Sequence, residues 1–338
     1  MQITRSTIFS WMVLSLAISS LSPGAGTLST STLLKGKVIC VDPGHGGTAQ
    51  SDSFRVGRSG EREEWINLRV ALCLRDMLKA SGATVVMTRE EDISVPLKDR
   101  AVAARTMSAD VMLSIHHNAT ADSSVNFPIV YFHGNASENI AGVELGKCVA
   151  RAIAKYLYNN ETDISLVSDH TIFPEAGAAV LRHSYGIPGV LAEASFFTNR
   201  DEELRLKDAS YNKREAKALY DALVEYFSQK KSSIKEKNSL VKVPPFYVYQ
   251  EAERMSDTAK CWLTYYRKGK EKFTEGTDAS VNEAYQLFFA SAKSFPDSYI
   301  AGECHYYLSR ITAASDSAFS DNERKRIREY YVLPQSRH

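Results

Sequence analysis

Asp42-Pro43-Gly44-His45-Gly46-Gly47 directly follows the apolar run 37–41, and this junction decides how the first half of the chain is read. A short buried strand ends there in a glycine turn, and the carboxyl end of a strand is where α/β proteins place their chemistry. Glycines on both sides of His45 let the backbone bend sharply and leave the imidazole uncrowded, which suits a metal ligand better than a core residue. Two later junctions have the same form. Ser114-Ile115-His116-His117-Asn118 follows the run 110–113, and Glu193 ends Gly189-Val190-Leu191-Ala192. If these strands run parallel, His45, His116 and Glu193 emerge at one edge of a sheet although they lie far apart in the chain.

Glu63 belongs to Glu61-Arg62-Glu63-Glu64-Trp65, the first turn of a helix returning from the first strand. Acidic residues are favoured at any helix N-terminus, so capping accounts for three glutamates there as readily as ligation accounts for one. Strand patterns fall at 37–41, 84–88, 111–115, 128–132, 179–181 and 189–192. Helical patterns fall at 63–80, 97–107, 137–158, a short turn at 203–206, and 212–227. In the first helix, Trp65, Leu68, Leu72, Leu74 and Leu78 supply the expected core face. The alternation predicts an α/β fold: a mixed, mostly parallel sheet flanked by helices, with a small all-α domain behind it.

An ordered series of blocks between 37 and 227 resembles the zinc-dependent N-acetylmuramoyl-L-alanine amidases often called amidase type 3, which cleave bacterial peptidoglycan. The blocks are Val41-Asp42-Pro43-Gly44-His45-Gly46-Gly47, Glu63 four residues before Asn67-Leu68, Met87-Thr88-Arg89, Leu97 with Arg100 and Ala104-Arg105, Ser114 to Ala119, and Val190 to Asn199. The resemblance implies that His45, Glu63 and His116 bind one zinc ion and that Glu193 is catalytic. Two neutral imidazoles and one carboxylate leave zinc with residual positive charge and an open position, as catalytic zinc sites require. An amide is a poor electrophile with a poor leaving group, so a general base is also needed, and Glu193 fits that part. The implied bond joins the lactyl group of N-acetylmuramic acid to the L-alanine of the stem peptide. The residues alone reach only a zinc hydrolase acting on an amide or ester.

Other polar residues carry less. His117 should point away from His116 on an extended strand. His170, in Asp169-His170-Thr171, is a candidate for lining the cleft, and Arg182, beside His183, for meeting a substrate carboxylate, although a surface charge is the plainer account. Inactive family members carry an extra helix that blocks the zinc cleft, and the stretch 117–178 offers a pattern for one long helix only.

The 338 residues hold 41 Lys plus Arg against 40 Asp plus Glu, a balance that gives no support to nucleic-acid binding. Arg5 precedes an apolar stretch at 8–18, too short for the roughly 20 residues that span a bilayer, so 1–26 reads as a signal peptide. Export across the inner membrane to the periplasm or cell envelope follows, with no membrane span left after cleavage. The catalytic domain is expected at 35–228. A lysine-rich linker follows at 229–245, then a helical, tetratricopeptide-like segment at 246–315 and a charged tail at 316–338. The helical segment is a candidate for docking on the catalytic domain or binding an envelope protein, beside the peptidoglycan substrate itself. Five cysteines cannot all pair within one chain; Cys40, Cys73 and Cys148 suit buried thiols, and Cys261 and Cys304 leave pairing open. A zinc peptidase acting on the stem peptide and a non-catalytic wall-binding scaffold are the competing readings.

Overall fold

The computed structural model describes residues 33–53, 55–238 and 257–333. The expected signal peptide and part of the linker lie outside the described residues. Six strands form one sheet: β1 (Val38–Pro43), β2 (Thr84–Met87), β3 (Val111–Asn118), β4 (Ile129–Phe132), β5 (Ser165–Ser168) and β6 (Gly189–Phe196), in the order β2-β1-β3-β6-β4-β5. β2, β1, β3 and β6 are parallel; β4 runs antiparallel to β6, and β5 parallel to β4. The sheet is therefore mixed and mostly parallel. Its helices are α1 (Glu63–Ala80), α2 (Leu97–Thr106), α3 (Ile140–Tyr158), α4 (Ala179–His183), α5 (Arg200–Leu206) and α6 (Ala209–Ser228). Beyond them come α7 (Asp257–Lys260), α8 (Trp262–Glu275), α9 (Asp278–Ser294), α10 (Ala301–Ile311) and α11 (Ser317–Tyr330).

Strand residues alternate between the two faces, as a period of two demands. Ile39, Val41, Leu113, Ile115, Val130, Phe132, Val190 and Ala192 pack beneath α1, α3 and α6. Cys40, Met112, Ile129, Tyr131, Val167 and Phe196 face the other way, into a core shared with α2, α4 and the C-terminal helices. There Phe127 meets Trp262, Phe295 and Tyr299 with ring centroids 6.3, 6.0 and 5.1 Å apart. Tyr331 donates its hydroxyl to the Pro296 carbonyl at 2.9 Å, and Tyr131 donates to Asp297.

Several expectations change. The stretch 179–181 is the helix α4, not a strand, and buries Val180 and Leu181. Three apolar residues fit either element, and the neighbouring α2 supplies a surface that a helical turn covers. The strand overlooked is β5, whose two apolar residues sit between serines; among the named strands it pairs with β4, and Val167 forms an isolated bridge with Tyr331. In α1 the core face is Ile66, Val70, Ala71, Leu74 and Leu78, while Trp65 is exposed. The expected charged tail forms α11, and its end enters the core: Tyr330 and Tyr331 are buried and the Val332 amide donates to Leu166 at 3.0 Å. Residues 229–238 lie against the sheet domain, with Ser232 bonded to Glu144 and the Lys235 amide to the Glu138 carbonyl. All five cysteines are free thiols. Among the described residues, no helix is long and apolar enough to cross a membrane.

Candidate metal centre

The adjacent parallel strands β1, β3 and β6 deliver His45, His116 and Glu193 to one edge of the sheet. Asp42 is in register with Ser114, and His116 with Glu193, so the last two share a face on neighbouring strands about 4.8 Å apart. Glu63 arrives from the first turn of α1. His45 Nε2 and His116 Nδ1 each lie 3.1 Å from Glu63 Oε1, and the two imidazoles meet edge to face with centroids 4.8 Å apart. Glu61 and Glu64 turn elsewhere: Glu61 accepts from Arg69 at 2.9 Å and Glu64 from Arg62 at 2.6 Å. Geometry thus separates three glutamates that look alike in sequence.

The glycine turn has a steric reason. A Cβ on Gly44 would lie 2.2 Å from the His116 ring, so only glycine lets that imidazole pass. His45 itself sits at φ 57°, the left-handed region that non-glycine residues seldom occupy. Two buried arginines hold the turn in place. Arg89 donates to the carbonyls of Pro43 and Gly44 at 2.9 and 2.8 Å, and Arg100 to those of Pro43 and His45 at 2.8 and 2.6 Å. Arg100 also pairs with Asp42 at 2.8 Å. Burial alone would raise the Asp42 carboxyl, but Arg100, Thr88 and Ser114 hold it below the usual carboxylate range. The Trp65 indole donates to Asp92, whose other oxygen accepts from the Gly47 amide at 2.7 Å, which ties the turn to a second loop. Sequence reading caught Thr88, Arg89 and Arg100 only as parts of blocks; their work as anchors of backbone carbonyls needs the fold.

The electrostatics suit a cation. Burial would raise Glu63, yet the two imidazoles hold its carboxyl well below the usual range, so it is ionised. Burial pushes the His116 imidazole below its usual value, towards the neutral form that ligates. Glu63 Oε2 is buried and accepts no hydrogen bond among the described residues; Arg55 Nε stands 3.9 Å away. Two histidines and a carboxylate with their donor atoms within 4.8 Å of one another form a donor set that fits zinc.

The remaining candidates lie elsewhere. His117 points away from His116 and is fully buried between α1 and α6. His170 does not line this cleft. Because β4 opposes β6, with Ile129 beside Glu193 and Phe132 beside Val190, the ends of β4 and β5 emerge at the other edge of the sheet. There His133, Asp169 and His170 form a second cluster, about 13 Å along the strands from the level of Glu193. Asp169 accepts from His133 Nδ1 at 2.6 Å, the Gly134 amide at 3.1 Å and the Ala178 amide at 2.7 Å, and the Lys237 ammonium stands against His133 Nε2. A lysine from the 229–238 segment already supplies the positive charge that a metal would bring. Arg182 donates to the carbonyls of Ala176 and Gly177 at 3.1 and 2.9 Å.

Residues 39–225 match the family described as N-acetylmuramoyl-L-alanine amidase. The amidase LytC of Bacillus subtilis is 31% identical over 192 residues, 57% of this chain and 36% of that protein. AmiC of Escherichia coli O6:H1 is 29% identical over 235 residues, 56% of this chain and 53% of that protein. The chain thus spans about half or less of the length of these two relatives. Among solved structures, the amidase AmiC2 of Nostoc punctiforme superposes with a TM-score of 0.50 at 26% identity, covering 58% of this chain and 99% of that one. A profile match across more than half of the chain, falling on the sheet that carries the two histidines and two glutamates, makes this protein a member of the N-acetylmuramoyl-L-alanine amidase family.

Proposed function

We propose that the protein hydrolyses the amide between N-acetylmuramic acid and L-alanine in bacterial peptidoglycan, in cell-wall remodelling or division, with one zinc ion held by His45, Glu63 and His116. The observation that carries this reading is the convergence of both imidazole nitrogens on Glu63 Oε1 at 3.1 Å, beside Glu193 on the next strand. Zinc bound there supplies a Lewis acid for the scissile carbonyl and acidifies water to a pKa of about 7. Glu193 takes the proton of the attacking water and returns it to the departing nitrogen. Arg89 and Arg100 keep the turn that carries His45 from relaxing. The protein acts in the periplasm or cell envelope, where this polymer lies, and an envelope partner would meet the outer side of the C-terminal helices, where Phe289 and Tyr306 are exposed.

Mass spectrometry of digested peptidoglycan tests the reaction. Release of intact stem peptides is expected; shortened peptides would point to a peptidase, and no products to a scaffold. Glu193→Gln should keep zinc and lose about 10²–10⁴-fold in turnover, whereas His45→Ala should lose both metal and activity. A Glu193→Gln rate near wild type would remove Glu193 from the mechanism. Among the described residues α3 is the single α-helix between His116 and Ala179, so the purified protein should act without an activator. Activity that appears only after a partner is added would contradict this.

A further inference from the structure

Behind Glu63 runs a line of buried polar side chains that the reaction does not use. Glu215 of α6, His117 of β3 and Asn67 of α1 are each at most 1% exposed. His117 Nε2 lies 3.1 Å from Glu215 Oε2, and Nδ1 lies 2.8 Å from Asn67 Oδ1. Asn67 Nδ2 then donates to Glu63 Oε1 at 3.2 Å and to the Gly44 carbonyl at 3.3 Å. The His117 amide also donates to Glu63 Oε1, at 3.3 Å.

The orientation of the Asn67 amide follows from its neighbours. A carboxylate and a carbonyl on one side both accept, so the amide nitrogen must face them and the amide oxygen must face His117. That oxygen needs a donor, which His117 provides from Nδ1 while Glu215 holds the other ring nitrogen. Flipping the amide would set an oxygen against Glu63 Oε1 and the Gly44 carbonyl, leaving three acceptors together. One turn of helix separates Glu63 from Asn67, so the two share a face of α1.

We propose that Glu215, His117 and Asn67 are positioning residues: they lock the Asn67 amide in one orientation and thereby fix the Glu63 carboxylate towards His45 and His116. A glutamate free at three side-chain torsions would have to be ordered each time the metal binds; this one is ordered beforehand. The inference rests on the zinc reading above and adds what sets the affinity of the site.

The test is the zinc dissociation constant of the full-length protein, measured by competition with a chromogenic chelator, together with the melting temperature of the metal-free form. Asn67→Ala removes the donor. The double variant His117→Phe with Glu215→Leu replaces the buried pair by apolar groups and so keeps the fold without the hydrogen bonds. Both should bind zinc about 10–100-fold more weakly than wild type. Glu202→Gln, a buried carboxylate bonded to Arg205 and Tyr211, should lower the melting temperature and leave zinc affinity unchanged. Zinc affinity within threefold of wild type in a folded double variant would overturn the positioning role while leaving the zinc site intact. Wild-type protein that binds no zinc, or binds it equally well as His45→Ala, would overturn both readings.

Discussion

The two faces of the sheet are closed by different parts of the chain. Over one face lie α1, α3 and α6, all within or at the border of the family match, and their core runs from Leu34 to Phe227. Over the other, α2 and α4 cover one part, and the rest is covered by helices after residue 257 that the family match does not reach. Phe127, just before β4, and Phe196, at the end of the strand β6 that carries Glu193, are buried against Trp262 and Phe295. The sheet of the family domain therefore uses the C-terminal helices as part of its core. A segment that reads as an appended module in sequence acts as a structural layer.

The strongest way to break this comparison is to end the chain after 238. Removing the C-terminal layer would expose Phe127, Tyr131, Val167 and Phe196 together, and the expected outcome is an aggregated or metal-free product, read by gel filtration and zinc content. A soluble truncation with full zinc content and wild-type activity would show that the two faces are independent. Single substitutions sharpen the point. Phe295→Ala on the second face should cost about 3–5 kcal/mol, and Leu74→Ala on the first about 2–5 kcal/mol, both in one cooperative denaturant transition. Two separate transitions for Phe295→Ala would mean that the C-terminal helices unfold by themselves. The smallest effect is expected for Tyr331→Phe, which removes the hydroxyl bonded to Pro296 and should cost about 1 kcal/mol with zinc affinity unchanged. No measurable cost would show that this contact within the C-terminal layer adds nothing to stability.

The two histidine clusters differ for a related reason. At one edge His45, Glu63 and His116 meet with a buried carboxylate oxygen left over; at the other, Lys237 stands against His133 and Asp169 is filled by three donors. Nearly the same residue types occur in both; Lys237 stands directly against a ring nitrogen of the second cluster, whereas Arg55, the cation beside the first, keeps 3.9 Å from Glu63 Oε2. Nothing in Asp169-His170-Thr171 announces that Lys237, some 67 residues on, completes that cluster.

The sequence by itself determined the sheet's parallel part and the position of each turn that carries a metal-binding candidate. Those features are local: an apolar run, a glycine turn and a helix start are written in consecutive residues, and hydrophobic periodicity reports them directly. It also fixed that His116 and His117 point apart, because alternation along a strand is a property of the backbone. Only the tertiary structure decided which of Glu61, Glu63 and Glu64 faces the histidines, since all three satisfy the same helix-terminus preference and differ in what stands opposite. It likewise decided that 179–181 coils into α4, that Trp65 is exposed, and that the polar line from Glu215 reaches Glu63. Those outcomes depend on contacts between residues up to 98 positions apart along the chain, as from His117 to Glu215, and burial at such range is set by how whole elements pack. The C-terminal layer is the plainest case: its helical character was legible, but a helical pattern names no partner, and the surface it covers became visible only once the sheet was folded.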